Sequence, residues 1–243
     1  MTIQKPTFMI RVRSTILWTI MGFYSIFIFF VALCVSFCSP VTRNRVICSW
    51  TWIFNFCARN ICGVKYQVIG TENIPNTPSI IASNHQSIWE TLCFSQIFPQ
   101  HVWVLKEELL KIPFFGWALR FAAPIGIDRS SSLSAMDKVL KQGVERFSHG
   151  FWILTFPEGT RLKPKERKKY KLGTAKLALL LDSHVLPVAH NAGYYYPKTG
   201  LCLYPGVVTV KIGKTIGPEG QTAEEWTRKI ETTTNQMLDD IGA

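Results

Sequence analysis

From Thr15 to Cys38 the chain reads TILWTIMGFYSIFIFFVALCVSFC, with no charge and no proline. As a helix it would measure about 36 Å, enough to cross a hydrocarbon core of about 30 Å. A chain with such a run must place it in a membrane, bury it, or shed it as a signal peptide. A signal peptide's apolar region is normally about 7–15 residues. This run is longer, and Ser36 to Pro40 makes a poor cleavage site. Retention in a membrane is the expectation. Hydrophobic residues make up 47% of the 243 residues, and the excess is concentrated here.

A second apolar stretch, VICSWTWIFNFC, covers Val46 to Cys57 and is too short to span. Trp50, Trp52 and the adjoining Arg59 suit an interfacial or re-entrant helix, with aromatics at headgroup level. A buried core helix fits the stretch equally well.

Charge follows the same division. Residues 1–71 hold seven Lys or Arg and no acid, and the first acid is Glu72. Of the net charge of +11, +7 therefore surrounds the apolar segments. Lys5, Arg11 and Arg13 precede the long run and Arg43 and Arg45 follow it, so positive-inside reasoning does not choose between a span and a hairpin. The charge does favour an anionic cytoplasmic leaflet. Nucleic acid is excluded as a partner, because the charge flanks greasy segments and forms no separate basic face.

The seven cysteines form no Cys-x-x-Cys pair, and no Cys/His grouping has zinc spacing. Apolar packing in a reducing compartment is expected, with no disulfide and no structural metal.

Beyond Gly63 the pattern changes to short apolar runs alternating with helical stripes. Strands are expected at 64–69, 79–83, 102–105, from Pro124, at 151–156, 185–189 and 207–212. Helices are expected at 88–98, stopped by Pro99, at 107–122 with a break near Pro113, at 132–147 and at 173–181. Thr222-Ala-Glu-Glu225 is a capping box opening a last helix. The fold class is α/β: a mixed, mostly buried sheet flanked by helices, preceded by an apolar helical membrane element. Membrane-associated helices take residues 1–63 and a catalytic domain takes 64–243. Ligands in such sheets collect at strand ends.

Two motifs lie at strand ends. In SNHQSIWE, Ser83 to Glu90, a histidine precedes a glutamate by five residues. Within one helix the two would point about 140° apart. Ser87-Ile-Trp-Glu90 fits a capping box, however, which places His85 in the loop before a helix and Glu90 in its first turn. Glu90 can then turn back to the imidazole as an orienting carboxylate, or merely accept from the Ser87 N–H. The spacing is cheap, with about 0.3 chance matches in a chain of this composition.

The second motif, FPEGTR, spans Phe156 to Arg161. Gly159 admits close backbone approach, Thr160 offers a hydroxyl, and Arg161 a forked cation suited to phosphate. From Arg161 to Lys171, both included, the chain holds seven basic residues and one acid. A solvated charged loop would explain them, but a phosphate-bearing substrate or an anionic lipid surface explains the clustering better.

From about Val64 to Tyr196 the chain resembles the glycerolipid, or lysophosphatidic acid, acyltransferases. Asn84, His85 and Glu90 match the first family motif, and GIDR, ending at Arg129, matches the second. Phe156 to Arg161 match the third at every position, and Leu186, Pro187 and Val188 match the fourth. One departure is the acid of the first motif, usually Asp and here Glu90.

The resemblance implies transfer of a fatty acyl group from a thioester to the sn-2 hydroxyl of 1-acylglycerol 3-phosphate, giving phosphatidic acid, with no cofactor and no metal. His85 would be the general base and Glu90 would fix its tautomer. No Gly-x-Ser-x-Gly is present and no serine nucleophile is implied. Arg161, with Arg129, would bind phosphate, and Lys106 resembles a lysine near that site. Glu158 resembles an acceptor-binding residue, and Gly159 and Thr160 complete the substrate-binding turn. Phe114, Phe115 and Trp117 are read as packing residues, with an acyl path as the alternative. The partners implied are membrane lipids, a lysophospholipid acceptor, and acyl-CoA or acyl carrier protein as co-substrate. The catalytic domain would face the cytoplasm. Another lysophospholipid or lipid-amine acceptor fits the motifs as well. A membrane-anchored lipid-binding protein without turnover is the rival of another class.

Overall fold

The computed structural model describes residues 5–127, 132–217, 220 and 222–243, with side chains for all of these except 132–136. The long apolar run lies inside helix α1, Phe8–Cys34, capped by the Thr7 hydroxyl, which accepts from Ile10 N–H. Helix α2, Pro40–Ile47, starts with Ser39 as N-cap and proline in its first turn, where the missing N–H costs nothing. Helix α3, Ser49–Asn60, leads through Gly63 into strand β1, Val64–Ile69.

The strands that follow are β2, Ile80–Ser83; β3, His101–Lys106; β4, Ile125–Ile127; β5, Trp152–Thr155; β6, Val185–His190; and β7, Gly206–Ile212. Between them lie α4, Trp89–Cys93; α5, Phe115–Phe121; α6, Ser132–Ser148; and α7, Gly173–Leu180, and α8, Ala223–Asp240, follows β7. The sheet order is β1-β7-β6-β2-β5-β3-β4. All pairings are parallel except β6 with β7, so the sheet is mixed, as expected.

Side chains alternate across the sheet with the two-residue period of a strand. Ile81, Trp103, Leu154, Leu186 and Val188 point to a core shared with α1, α3 and α5. Ile80, Ala82, Val102, Ile153 and Val185 point to the opposite core, under α7 and α8. Strands β2, β5 and β6 are buried throughout, which is why they read as unbroken apolar runs.

Two local outcomes differ from the sequence reading. The helix expected at 88–98 is a five-residue α-helix followed by a 3-10 turn at Phe94–Gln96. Ser95 Oγ donates to Leu92 O at 2.8 Å in that turn. Before Pro113 the expected helix is a 3-10 turn, Glu107–Lys111. Helix α1 is docked along one face. Ser14, Leu17, Met21, Ser25, Ile28 and Ala32 form a buried stripe at helical spacing, while Phe23, Phe27 and Phe30 are exposed. Trp18 Nε1 donates to Leu201 O, and Ser14 Oγ accepts from Leu203 N–H, tying the helix to the segment before β7. Helix α3 is likewise two-faced: Trp50, Phe54 and Cys57 are buried, Trp52 and Phe56 exposed.

Candidate active site

Strands β2, β5 and β6 run parallel through the pairings of β2, so their C-terminal ends meet at one edge of the sheet. The loop after β2 carries His85. Its Nδ1 lies 2.8 Å from Glu90 Oε1, in the first turn of α4. The same oxygen accepts from Gln86 N–H at 2.9 Å and Ser87 N–H at 2.7 Å. The two readings of the motif therefore hold at once, since one carboxylate oxygen orients the imidazole and caps the turn. The capping box is only half formed, because Ser87 Oγ accepts from Trp89 N–H at 3.0 Å, one position short of the box.

Burial alone would raise the pKa of fully buried Glu90, but the His190 ring, the His85 imidazole and the Ser87 N–H hold it below its ordinary value. A carboxylate on Nδ1 selects the tautomer with its proton there and leaves Nε2 as a base. The ring of Phe156 stacks on the imidazole at 4.0 Å and 15°, fixing its plane.

The turn after β5 supplies Glu158, 3% exposed. Its Oε2 accepts the His85 backbone N–H at 2.8 Å, and Leu162 N–H donates to His85 O at 2.7 Å. The two motif loops are thus joined on both sides of the histidine. Burial pushes the Glu158 carboxyl up to about 8. Gly159 adopts φ +71, a left-handed conformation, and a Cβ there would stand 2.9 Å from Lys171 Cε. The absent side chain lets that lysine lie over the turn.

A cavity of about 430 Å³ opens beside this pair. His85 and Arg161 line it together with apolar side chains, among them Met21 of α1, Trp50 of α3, Leu105 of β3 and Phe115 of α5. The site therefore places an imidazole, a guanidinium and an apolar cavity in one space.

Comparison with known proteins agrees with this geometry. The family model named Acyltransferase matches residues 65–191. The 1-acyl-sn-glycerol-3-phosphate acyltransferase of Pseudomonas aeruginosa is 43% identical over 190 residues, 76% of this chain and 74% of that one. The Saccharomyces cerevisiae protein of the same name is 30% identical over 186 residues, 74% of this chain and 60% of that one.

The chain belongs to the acyltransferase family.

The crystal structure of the 1-acyl-sn-glycerophosphate (LPA) acyltransferase PlsC from Thermotoga maritima shares the fold, with a TM-score of 0.78 and 23% identity. It covers 96% of this chain and 97% of that one. The family expected from the four motifs is the family found, and the expected enzyme class, acyltransferase, stands with it.

In this acyltransferase His85, Glu90, Glu158 and Arg161 come together. Thr160 is half-buried in the same turn. Lys106 closes β3 half-exposed, 3.1 Å from Glu108, and is not among the residues lining the cavity. Arg129 lies outside the described residues. The three aromatics divide: Phe115 lines the cavity, whereas Phe114 and Trp117 pack on Phe29 of α1.

Motif reading passed over His190, Phe156 as a stacking partner, and the inner face of α1. Trp18, Met21 and Ser25 of that helix line the same cavity as His85. The available signal was Ser14 and Ser25, the two serines of α1, which stand eleven residues apart and so share one face of the helix.

Proposed function

We propose that this enzyme transfers a fatty acyl group from an acyl thioester to the sn-2 hydroxyl of 1-acylglycerol 3-phosphate, giving phosphatidic acid. The observation that carries the proposal is the oriented His85–Glu90 pair lining one apolar cavity with Arg161. The names of the Pseudomonas and yeast relatives support the choice of acceptor.

His85 Nε2 takes the proton of the acceptor hydroxyl as its oxygen attacks the thioester carbonyl. Glu90 stabilises the imidazolium that forms. The tetrahedral intermediate collapses, the carbon–sulfur bond breaks, and the imidazolium returns its proton to the leaving thiolate. Arg161 pairs with the acceptor phosphate and the cavity takes an acyl chain. Arg129 and Lys106 are assigned to the phosphate side, with Gly159 and Thr160 forming the turn against which the acceptor lies. Buried Glu158 acts on the acceptor site through the His85 loop. No metal or cofactor enters these steps, and acyl-CoA or acyl carrier protein supplies the thioester.

The protein is further proposed to be membrane-attached, with its catalytic domain on the cytoplasmic face. Helix α1 is long and apolar enough to cross a membrane by length and composition, and its exposed face is aromatic. The test is an acceptor panel with purified enzyme: lysophosphatidic acid, glycerol 3-phosphate and several lysophospholipids. Preferred use of lysophosphatidic acid is expected; equal or absent use of it contradicts the assignment.

A further inference from the structure

One more buried ionisable side chain touches the loop that carries the base. His190 closes β6 and is fully buried. Its Nδ1 accepts from Ala192 N–H at 3.2 Å, so in the neutral ring the proton sits on Nε2. That nitrogen donates to the Asn84 backbone carbonyl at 2.9 Å and stands 3.8 Å from Glu90 Oε1. The Asn84 amide answers with two bonds to the His190 backbone, Nδ2 donating to O at 3.0 Å and Oδ1 accepting from N–H at 2.9 Å. The peptide unit joining Asn84 to His85 is therefore held at both ends, its C=O by His190 and by the Ser83 hydroxyl, which donates at 3.0 Å, and its N–H by Glu158. Rotation of that unit would swing the catalytic imidazole away from Glu90.

We propose that His190 is a positioning residue of the acyl transfer. Through Nε2–H it fixes the peptide before His85 and sets an N–H dipole beside the Glu90 carboxylate. The inference rests on His85 being the base.

The ring acts as a dipole and not as a cation, because burial keeps its pKa below the ordinary histidine value. Strand alternation sends Ala189 and Lys211 to the face under α8, where Lys211 pairs with Asp240. His190 and Val210 point the other way. The ring there faces His85 and Glu90, with Phe94 edge-on at 5.8 Å and Glu158 across the clamped peptide.

The test compares His190→Leu and His190→Gln with His85→Ala in the full chain, using lysophosphatidic acid and an acyl thioester. A glutamine amide reaches about where Nε2 stands and keeps the donor. His190→Leu is expected to lower kcat roughly 100-fold through misplacement of the base, with acceptor KM changed less than about twofold. It should also move the acid limb of the kcat profile upward, since Glu90, relieved of the N–H, holds the imidazolium proton more tightly. His190→Gln should recover most of kcat. If His190→Leu does not fold by circular dichroism, His190→Asn replaces it, because its shorter amide cannot reach Asn84 O. Wild-type kcat and pH profile in the Leu or Asn variant, beside an inactive His85→Ala, would overturn this inference alone. So would a His190→Gln variant as impaired as the Leu one. Wild-type turnover by His85→Ala would overturn the mechanism itself, and this inference with it.

Discussion

Glu158 Oε2 accepts the backbone N–H of His85 at 2.8 Å, so a side chain from the turn after β5 holds the loop after β2. This bond makes the second motif part of the first, and it has a pH signature. The folded Glu158 carboxyl is raised to about 8 from an ordinary 4.5. The folded state therefore binds this proton more tightly than the unfolded chain. Its contribution to stability is full below the ordinary value and is lost as pH rises through about 8. Glu158→Gln keeps an acceptor for His85 and removes the titration. Melting temperature measured against pH should fall more steeply for the wild type than for Glu158→Gln over this window.

Glu90 has the opposite sign. Its folded pKa lies below the ordinary value, so its contribution is present above that value and is lost as pH falls through the folded pKa. Glu90→Gln removes the charge that selects the His85 tautomer and stabilises the imidazolium. A fall in kcat on the order of 10³-fold is expected. Glu90→Asp restores the usual family acid one methylene short and should lose less. The ratio of the two kcat values measures how much depends on charge and how much on reach.

Much of this arrangement was legible in the sequence, for physical reasons that differ by element. Strands β2, β5 and β6 announced themselves because both faces are buried and each keeps its one polar residue, Ser83, Thr155 or His190, for its C-terminal end. Helix α8 was legible from Thr222 and Glu225, whose two reciprocal bonds measure 2.9 and 3.2 Å. His85 with Glu90 was legible as a pair but not as a choice between base and cap, because one oxygen serves both.

What stayed hidden depends on tertiary contact. A lone histidine such as His190 carries no local pattern, and only the pairing of β6 with β2 brings it to Asn84. The docking face of α1 was masked because every side of that helix is apolar.

Arg161 lines the cavity beside His85. Removing a charge-assisted contact to phosphate costs about 1.5–3 kcal/mol, or roughly 10–100-fold. Arg161→Gln should therefore raise KM for lysophosphatidic acid by that factor. KM for an uncharged monoacylglycerol should change little, and steady-state kinetics on both acceptors checks the contrast.

The exposed face of α1 offers Phe23, Phe27 and Phe30 at 73%, 57% and 56% exposure, opposite the stripe that docks on the domain. Replacing all three by Asp should release the protein from phospholipid vesicles in flotation assays. The fold should survive, because the buried stripe is untouched.

The central claim is that His85 is the base. Its most direct test is single-turnover acyl transfer to lysophosphatidic acid by purified His85→Ala, with folding checked by circular dichroism. The account predicts a folded protein whose chemical step is slowed about 10²–10⁴-fold; a folded variant that transfers the acyl group at the wild-type rate would contradict it.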